Sequence, residues 1–239
     1  MRLFRPVLFA GALRFGSAAT TMAPVRAGVI FMHGLGDSPA GWASFEGEMG
    51  PLLKAKGISV EFSLPAAPTA AVSINQGAKM SSWFDIVDWP ISLKARDDPE
   101  GLKASVKRAH AAIEALEAKG VPAENIIVGG FSQGGAVALL AAYRYPKKLA
   151  GCVCLSGWLT MKDEFAAGAN AGTPCFWGHG TSDPIVLPEQ QPAGSAVMAQ
   201  AGVSVTAKTY DMGHSSHPQE MRDLGNFLVQ TLGQCVSAQ

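Results

Sequence analysis

The 239-residue chain has no excess of either charge: Lys and Arg together number 19, as do Asp and Glu, and the formal net charge is zero. A nucleic-acid binder ordinarily shows a basic surplus or stripe, so that class is disfavoured. The pairs Lys107-Arg108 and Lys147-Lys148 read as solvated helix ends. No apolar stretch approaches the roughly 20 residues that span a bilayer. Cysteine is scarce. Cys152 and Cys154 would share one strand face, and neither they nor Cys175 and Cys235 form a paired C-x-x-C with a nearby His. They read as buried thiols of a reducing compartment. H-E-x-x-H, a Walker A sequence and a G-x-G-x-x-G after the first strand are all missing. No metal and no cofactor is therefore expected.

Glycine is plentiful, with 27 residues, and the chain is 48% hydrophobic against 16% charged. That composition and length suit one globular domain large enough to stand without a disulfide or metal. Residues 1–27 differ from the rest: Arg2, Arg5, Arg14 and Arg26 meet no acid before Asp37. They read as a flexible or targeting leader before a domain over 28–239. An Arg- and Ser-rich, acid-poor leader has the composition of an organellar transit peptide. Val7–Leu13 also offers a secretory reading, which Arg14 weakens, and Met22 offers a second start to a cytoplasmic domain. The cytoplasm is the expected address, with a mitochondrial or plastid one left open by the leader.

The rest of the chain is organised around Ser132. Ile126–Val128 is a β-branched run that enters Gly129-Gly130, turns through Phe131-Ser132-Gln133 and leaves by Gly134-Gly135 into an Ala/Leu-rich helical run. A serine on so tight a strand-to-helix turn is pushed into the open, and only glycine fits where strand and helix approach. The turn also aims the first helix amides, Gln133 among them, at developing negative charge.

Other segments fall in order around it. Gly28–Met32 reads as a buried strand emptying into His33-Gly34-Leu35-Gly36-Asp37, a loop whose free amides suit a second oxyanion donor, assigned to Leu35. His33 reads as a support for that loop. Helices are expected over Trp42–Lys56, with a turn or kink near Pro51, and over Gly101–Lys119 and Pro218–Leu232. Strands are expected over Ile58–Leu64, Leu149–Leu155, Pro174–Gly180 and Val203–Tyr210. Pro65–Asp88 reads as a long loop over the site, anchored by Trp83-Phe84, and His110 as a surface residue. Trp158-Leu159 either lines a substrate groove or caps the core. Strands alternating with helices imply a mostly parallel sheet covered on both faces, with functional loops at the carboxyl ends of its strands.

A neutral serine hydroxyl needs an imidazole to take its proton and a carboxylate to orient the imidazole. Asp183 follows a strand directly, whereas Asp163 looks solvated and Asp211 crowds the loop that carries His214. His214 lies in the loop after the last strand. His217 is nearer the following helix, and His179 precedes the acid by only four residues. Ser132, Asp183, His214 is the chain order of α/β-hydrolases.

Seven segments in order, H-G-L-G-D at His33, L-P-A-A-P at Leu64, M-S-S-W-F-D at Met80, G-G-F-S-Q-G-G at Gly129, L-S-G-W-L at Leu155, G-H-G-T-S-D-P at Gly178 and M-G-H-S-S at Met212, resemble the acyl-protein thioesterase/lysophospholipase family of small α/β-hydrolases. The resemblance implies cleavage of palmitoyl thioesters on protein cysteines, with carboxylesterase and lysophospholipase side activity. It implies Ser132, Asp183 and His214 as the triad, Leu35 and Gln133 as amide donors, and an apolar acyl channel reached by Trp158. The implied partners are S-acylated proteins or lysophospholipid esters, with transient contact at a membrane surface. The N-terminal acylated cysteine of some relatives has no counterpart here, since the first cysteine is Cys152.

Overall fold

The computed structural model describes residues 25–237, with side chains through 234. Most of the expected leader and the Cys235 side chain lie outside the described residues. The elements follow as β1 (Val25–Met32), α1 (Ala43–Lys54), β2 (Ile58–Ser63), β3 (Thr69–Val72), β4 (Ala78–Ser81), α2 (Pro99–Ala118), β5 (Ile126–Phe131), α3 (Gln133–Arg144), β6 (Gly151–Leu155), β7 (Cys175–Gly180), α4 (Gln190–Gln200), β8 (Val205–Tyr210) and α5 (Pro218–Ser237).

Six parallel strands form the central sheet in the order β2-β1-β5-β6-β7-β8. Successive side chains of a strand point to opposite faces, so each strand feeds two cores. Ile30, Val128, Cys152, Cys154 and Trp177 pack on one face under α2, α3 and α4, with Leu102, Ile113 and Met198. Phe31, Ile127, Val153 and Phe176 pack on the other under α1 and α5, with Phe45, Leu53, Leu224 and Leu228. After β2 the chain crosses back to lay β5 on the other side of β1. Open parallel sheets bind ligands where the order reverses in this way. The loops leaving β1 and β5, at Met32 and Phe131, meet there.

The structure departs from the sequence reading in several places. β1 starts at Val25, three residues before Gly28, and α5 continues to Ser237. The expected long loop holds a hairpin: β3 and β4 pair antiparallel from Thr69↔Ser81 to Val72↔Ala78, turning through Gln76 and Gly77, both at positive φ. α1 runs on through Pro51. α4 was not anticipated, because small residues replace the bulky stripe of an amphipathic helix. A Cβ at Gly194 would fall 2.5 Å from the Trp177 ring, so glycine lets α4 close on β7. His110 is not a free surface residue. Its Nε2 lies 2.9 Å from the Ala141 carbonyl oxygen and its ring packs edge-on against Tyr145, joining α2 to α3.

One buried group makes stability depend on pH. Glu220, in the first turn of α5, is fully buried, and neither carboxyl oxygen has a hydrogen-bond partner. It lies against β7, where a Cβ at Gly178 would fall 2.2 Å from its Oε1. Burial raises its pKa from 4.5 to about 7, and the His217 amide, outside hydrogen-bond geometry, offsets only part of this. The folded state thus holds a proton that the unfolded chain releases near 4.5. The resulting stability is complete below that pH and lost as pH rises through about 7. The full loss is roughly 3 kcal/mol at 1.36 kcal/mol per pKa unit. Glu220→Gln, which cannot ionise, is expected to flatten the profile. Thermal melts at pH 5 and pH 8 should show a Tm decrease in the parent that the variant lacks.

Candidate active site

Ser132 stands between the last residue of β5 and the first of α3 with φ 54° and ψ −121°, a sparsely populated region for a residue with a side chain. Its N–H donates to the Leu155 carbonyl at 2.8 Å and its own carbonyl accepts from Ala136 at 3.0 Å, so both neighbouring elements hold the turn. Cβ atoms built on Gly130 and Gly134 would lie 2.4 Å from the Gly134 carbonyl carbon and 2.1 Å from the Met32 carbonyl oxygen. The two glycines let β5, α3 and β1 meet at that point.

The hydroxyl of Ser132 lies 2.8 Å from His214 Nε2, and His214 Nδ1 lies 2.7 Å from Asp183 Oδ2. An ionised Asp183 can only accept, which places the imidazole proton on Nδ1 and leaves Nε2 to accept from the serine. The other oxygen of Asp183 accepts from the amides of Ile185 at 2.9 Å and Val186 at 3.0 Å. Burial, the largest influence on this carboxyl, favours its acid form. The hydrogen bond and charge of His214, together with those amides, outweigh it, and Asp183 titrates below its ordinary value. The loops bearing acid and base are tied together, since Thr181 donates to the Tyr210 carbonyl and Ser182 to that of Met212. Gly180 makes room for this: a Cβ there would meet the Met212 and Gly213 carbonyl oxygens at 2.4 Å. Phe131 packs on the His214 ring at 4.9 Å.

The alternative bases are engaged elsewhere and the alternative acids lie at the surface. His179 is buried, with Nε2 2.9 Å from the Val186 carbonyl and 3.6 Å from Asp183 Oδ2, beyond hydrogen-bond reach. Burial is the main cause that lowers its pKa, so it stays neutral beside the acid. His217 Nδ1 accepts from the Gln219 amide at the start of α5. Asp163 and Asp211 are exposed.

Leu35 and Gln133 lie on the two loops that flank Ser132. Among the described residues no oxygen accepts from the Leu35 N–H. The Gln133 N–H opens α3, where an amide has no intrahelical acceptor. The side chain of Gln133 escapes sequence reasoning, which uses only its amide. It is fully buried, accepts from Trp83 N–H at 2.9 Å, and donates to Ser82 Oγ at 3.0 Å and the Phe84 carbonyl at 2.6 Å. Trp83-Phe84 do anchor their segment, and the Trp83 indole donates to the His33 carbonyl at 2.8 Å. His33 supports its loop as expected: Nε2 accepts from the Ala67 amide at 3.1 Å, which leaves Nδ1 to donate to the Gly34 carbonyl at 2.8 Å.

Beside the serine a pocket of about 180 Å³ is walled by Leu35, Ile86, Trp89, Ile91, Trp158, Ile185 and Val186, with Ser132 and His214 at its polar end. Trp158 lines it and packs edge-on against Phe84, while Leu159 is buried in the core, so the pair splits between the two expected roles. Residues 86–91, of which only 86–88 belong to the loop expected over the site, form one wall. They are pinned by the Ile91 amide on the Ile185 carbonyl at 2.8 Å and by Arg96 closing on Asp88 at 2.8 Å. A larger groove of about 780 Å³ between α1 and β2 holds no nucleophile with a base beside it. Among the described residues no group of three or more His, Cys, Asp or Glu is placed to hold a metal ion. No described helix is long and apolar enough to cross a membrane.

Comparison with known proteins returns the same architecture. The phospholipase/carboxylesterase family profile matches residues 18–232. A protein named acyl-protein thioesterase 1 from Gibberella zeae is 40% identical over 216 residues, covering 85% of this chain and 90% of that protein. A protein of Oryza sativa subsp. japonica named "Probable carboxylesterase" is 38% identical, covering 90% of this chain and 81% of its own length. The crystal structure of Arabidopsis thaliana SOBER1 superposes with a TM-score of 0.80 at 32% identity, covering 87% of this chain and 100% of that one.

Proposed function

Because the chain belongs to the phospholipase/carboxylesterase family of α/β-hydrolases, we propose that Ser132, His214 and Asp183 are its nucleophile, base and orienting acid. The bond they cleave is the thioester joining a long acyl chain to a protein cysteine, with carboxylic esters as secondary substrates. The observation that supports this is the unbroken hydrogen-bonded line from Ser132 Oγ through His214 to Asp183, at 2.8 and 2.7 Å, beside an apolar pocket. Ser132 attacks the acyl carbonyl as His214 takes its proton, and the amides of Leu35 and Gln133 receive the oxyanion. The departing thiolate takes the proton from His214. Water, activated by the same imidazole, then releases the fatty acid and restores the serine.

A second reading, a carboxylesterase of shorter acyl groups, draws support from the pocket size. The pocket beside Ser132 is small, about 180 Å³. A kinetic survey of purified protein on a palmitoyl-cysteine peptide and on esters of graded chain length separates the two. Turnover of the palmitoyl peptide with kcat/KM at least equal to that on butyrate esters is the expected outcome. Turnover of short esters alone would give the second reading. The domain boundary and address belong to the same proposal: a leader before a single catalytic domain working in the cytoplasm. Fractionation of cells expressing the full chain, with N-terminal sequencing, tests it.

A further inference from the structure

Two loops distant in sequence are held by one short segment, residues 81–84. We infer that Trp83 is a positioning residue for the reaction, a clamp that fixes the Leu35 amide relative to that of Gln133. The inference rests on the serine-hydrolase reading and extends it to what sets the geometry of the oxyanion site.

The observations converge on the indole and backbone of this residue. On the β1 side, Trp83 Nε1 donates to the His33 carbonyl at 2.8 Å, and the Ser81 carbonyl accepts from Gly36 N–H at 2.8 Å. Leu35 lies between those two tethered residues, so its peptide is bracketed before and after. On the elbow side, Trp83 N–H donates to Gln133 Oε1 at 2.9 Å, and Gln133 Nε2 returns bonds to Ser82 Oγ at 3.0 Å and the Phe84 carbonyl at 2.6 Å. The clamp is anchored from α2, where Ser105 Oγ donates to the Trp83 carbonyl. Trp83, Ser82, Gln133 and Ser105 are all buried. Bonds in such an environment are not exchanged for water and hold their geometry. Fixed donors matter because an oxyanion site works by being in place before charge develops.

A residue that only packs the hairpin against the core would, when changed, alter stability. A clamp would, when changed, weaken binding of the transition state and spare binding of the substrate. An alkyl trifluoromethyl ketone reads this directly. Ser132 Oγ adds to the ketone carbon, its proton passes to His214 Nε2, and the carbonyl electron pair moves onto the oxygen that the two amides must receive.

Trp83→Phe keeps an aromatic ring and removes the indole donor together with part of the ring's buried volume, so its stability is measured alongside its kinetics. Expected for it are a fall of roughly tenfold in kcat on a butyrate ester, a matching loss of affinity for the ketone, and a KM within about twofold of the parent. Gln133→Ala keeps its backbone amide and should show the same split. The double variant should lose no more than the worse single variant, as members of one unit do. Ketone affinity unchanged in a folded Trp83→Phe protein overturns the clamp, as does a fully additive double variant. If Trp83→Phe does not fold, Ser105→Ala, which frees the Trp83 carbonyl, is read by the same ratio of kcat to KM and the same ketone. Failure of the parent to bind the ketone or to react with a fluorophosphonate would instead remove the serine-hydrolase reading and the clamp with it.

Discussion

Replacement of Ser132 by alanine is expected to reduce kcat by about 10⁶-fold, the scale seen when the nucleophile of a hydrogen-bonded triad is removed. The loss is this large because the parts act as a unit. His214 with no hydroxyl 2.8 Å away has no proton to take, and Asp183 then orients a base without a partner. A residual acceleration of about 10³ over water should survive from the amide donors and substrate binding alone. Folding should be little affected, since the side chain holds neither neighbouring strand nor helix. Those contacts are made by the backbone of Ser132 to Leu155 and Ala136. Progress curves on a butyrate ester, with fluorophosphonate labelling as a check for contaminating hydrolases, measure the effect. A variant retaining a tenth of the parent's activity would place the nucleophile elsewhere.

Gly134→Ala should have the largest effect on stability. A single methyl would lie 2.1 Å from the Met32 carbonyl oxygen, 2.5 Å from its carbon and 2.6 Å from the His33 carbonyl oxygen. All of these are backbone atoms of β1 and the loop after it, so no side chain can rotate aside. Relief requires α3 to move off the sheet, taking the elbow with it. The expected loss exceeds about 4 kcal/mol, the range reached only by severe core disruption, and should appear as insoluble expression or a large drop in Tm. Gly47→Ala, in α1 with nothing within 4 Å of the added carbon, is the control. It should stabilise by about 0.5–1 kcal/mol, because alanine has less freedom to lose than glycine in a helix. Similar melting curves for the two variants would refute the steric account.

How much of this was legible in the sequence depended on the kind of signal. Ser132 carries its own context, a β-branched strand before it and paired glycines after it. Asp183 and His214 announce themselves by lying a few residues past two successive strands, Cys175–Gly180 and Val205–Tyr210, in the chain order the serine requires. The signals that failed were those whose meaning lies in a partner far along the chain. Gly194 reads as a helix breaker until Trp177 is seen against it, so α4 went unread. The β3–β4 hairpin, Thr69–Val72 and Ala78–Ser81, is built from small and polar residues and keeps only Val72 fully buried, which leaves little alternation to detect. The glutamine side chain at 133 and the indole at 83 are 50 residues apart. No local pattern links a helix-starting amide to a segment that crosses in front of it.

The three core thiols bear on the chemistry of a protein that handles activated acyl groups. Cys154 Sγ lies just behind the elbow, 3.1 Å from where a Cβ of Gly135 would stand and 2.7 Å from that of Gly157. Cys152 and Cys175 are buried with it. Burial pushes the Cys152 and Cys154 thiols far above their ordinary range. A thioester exchanges readily with thiolate, the form these two sulfurs are denied. On the proposed mechanism an acyl group carried by Ser132 passes to water, and the buried thiol of Cys154 behind the elbow does not divert it into a dead-end self-acylated protein.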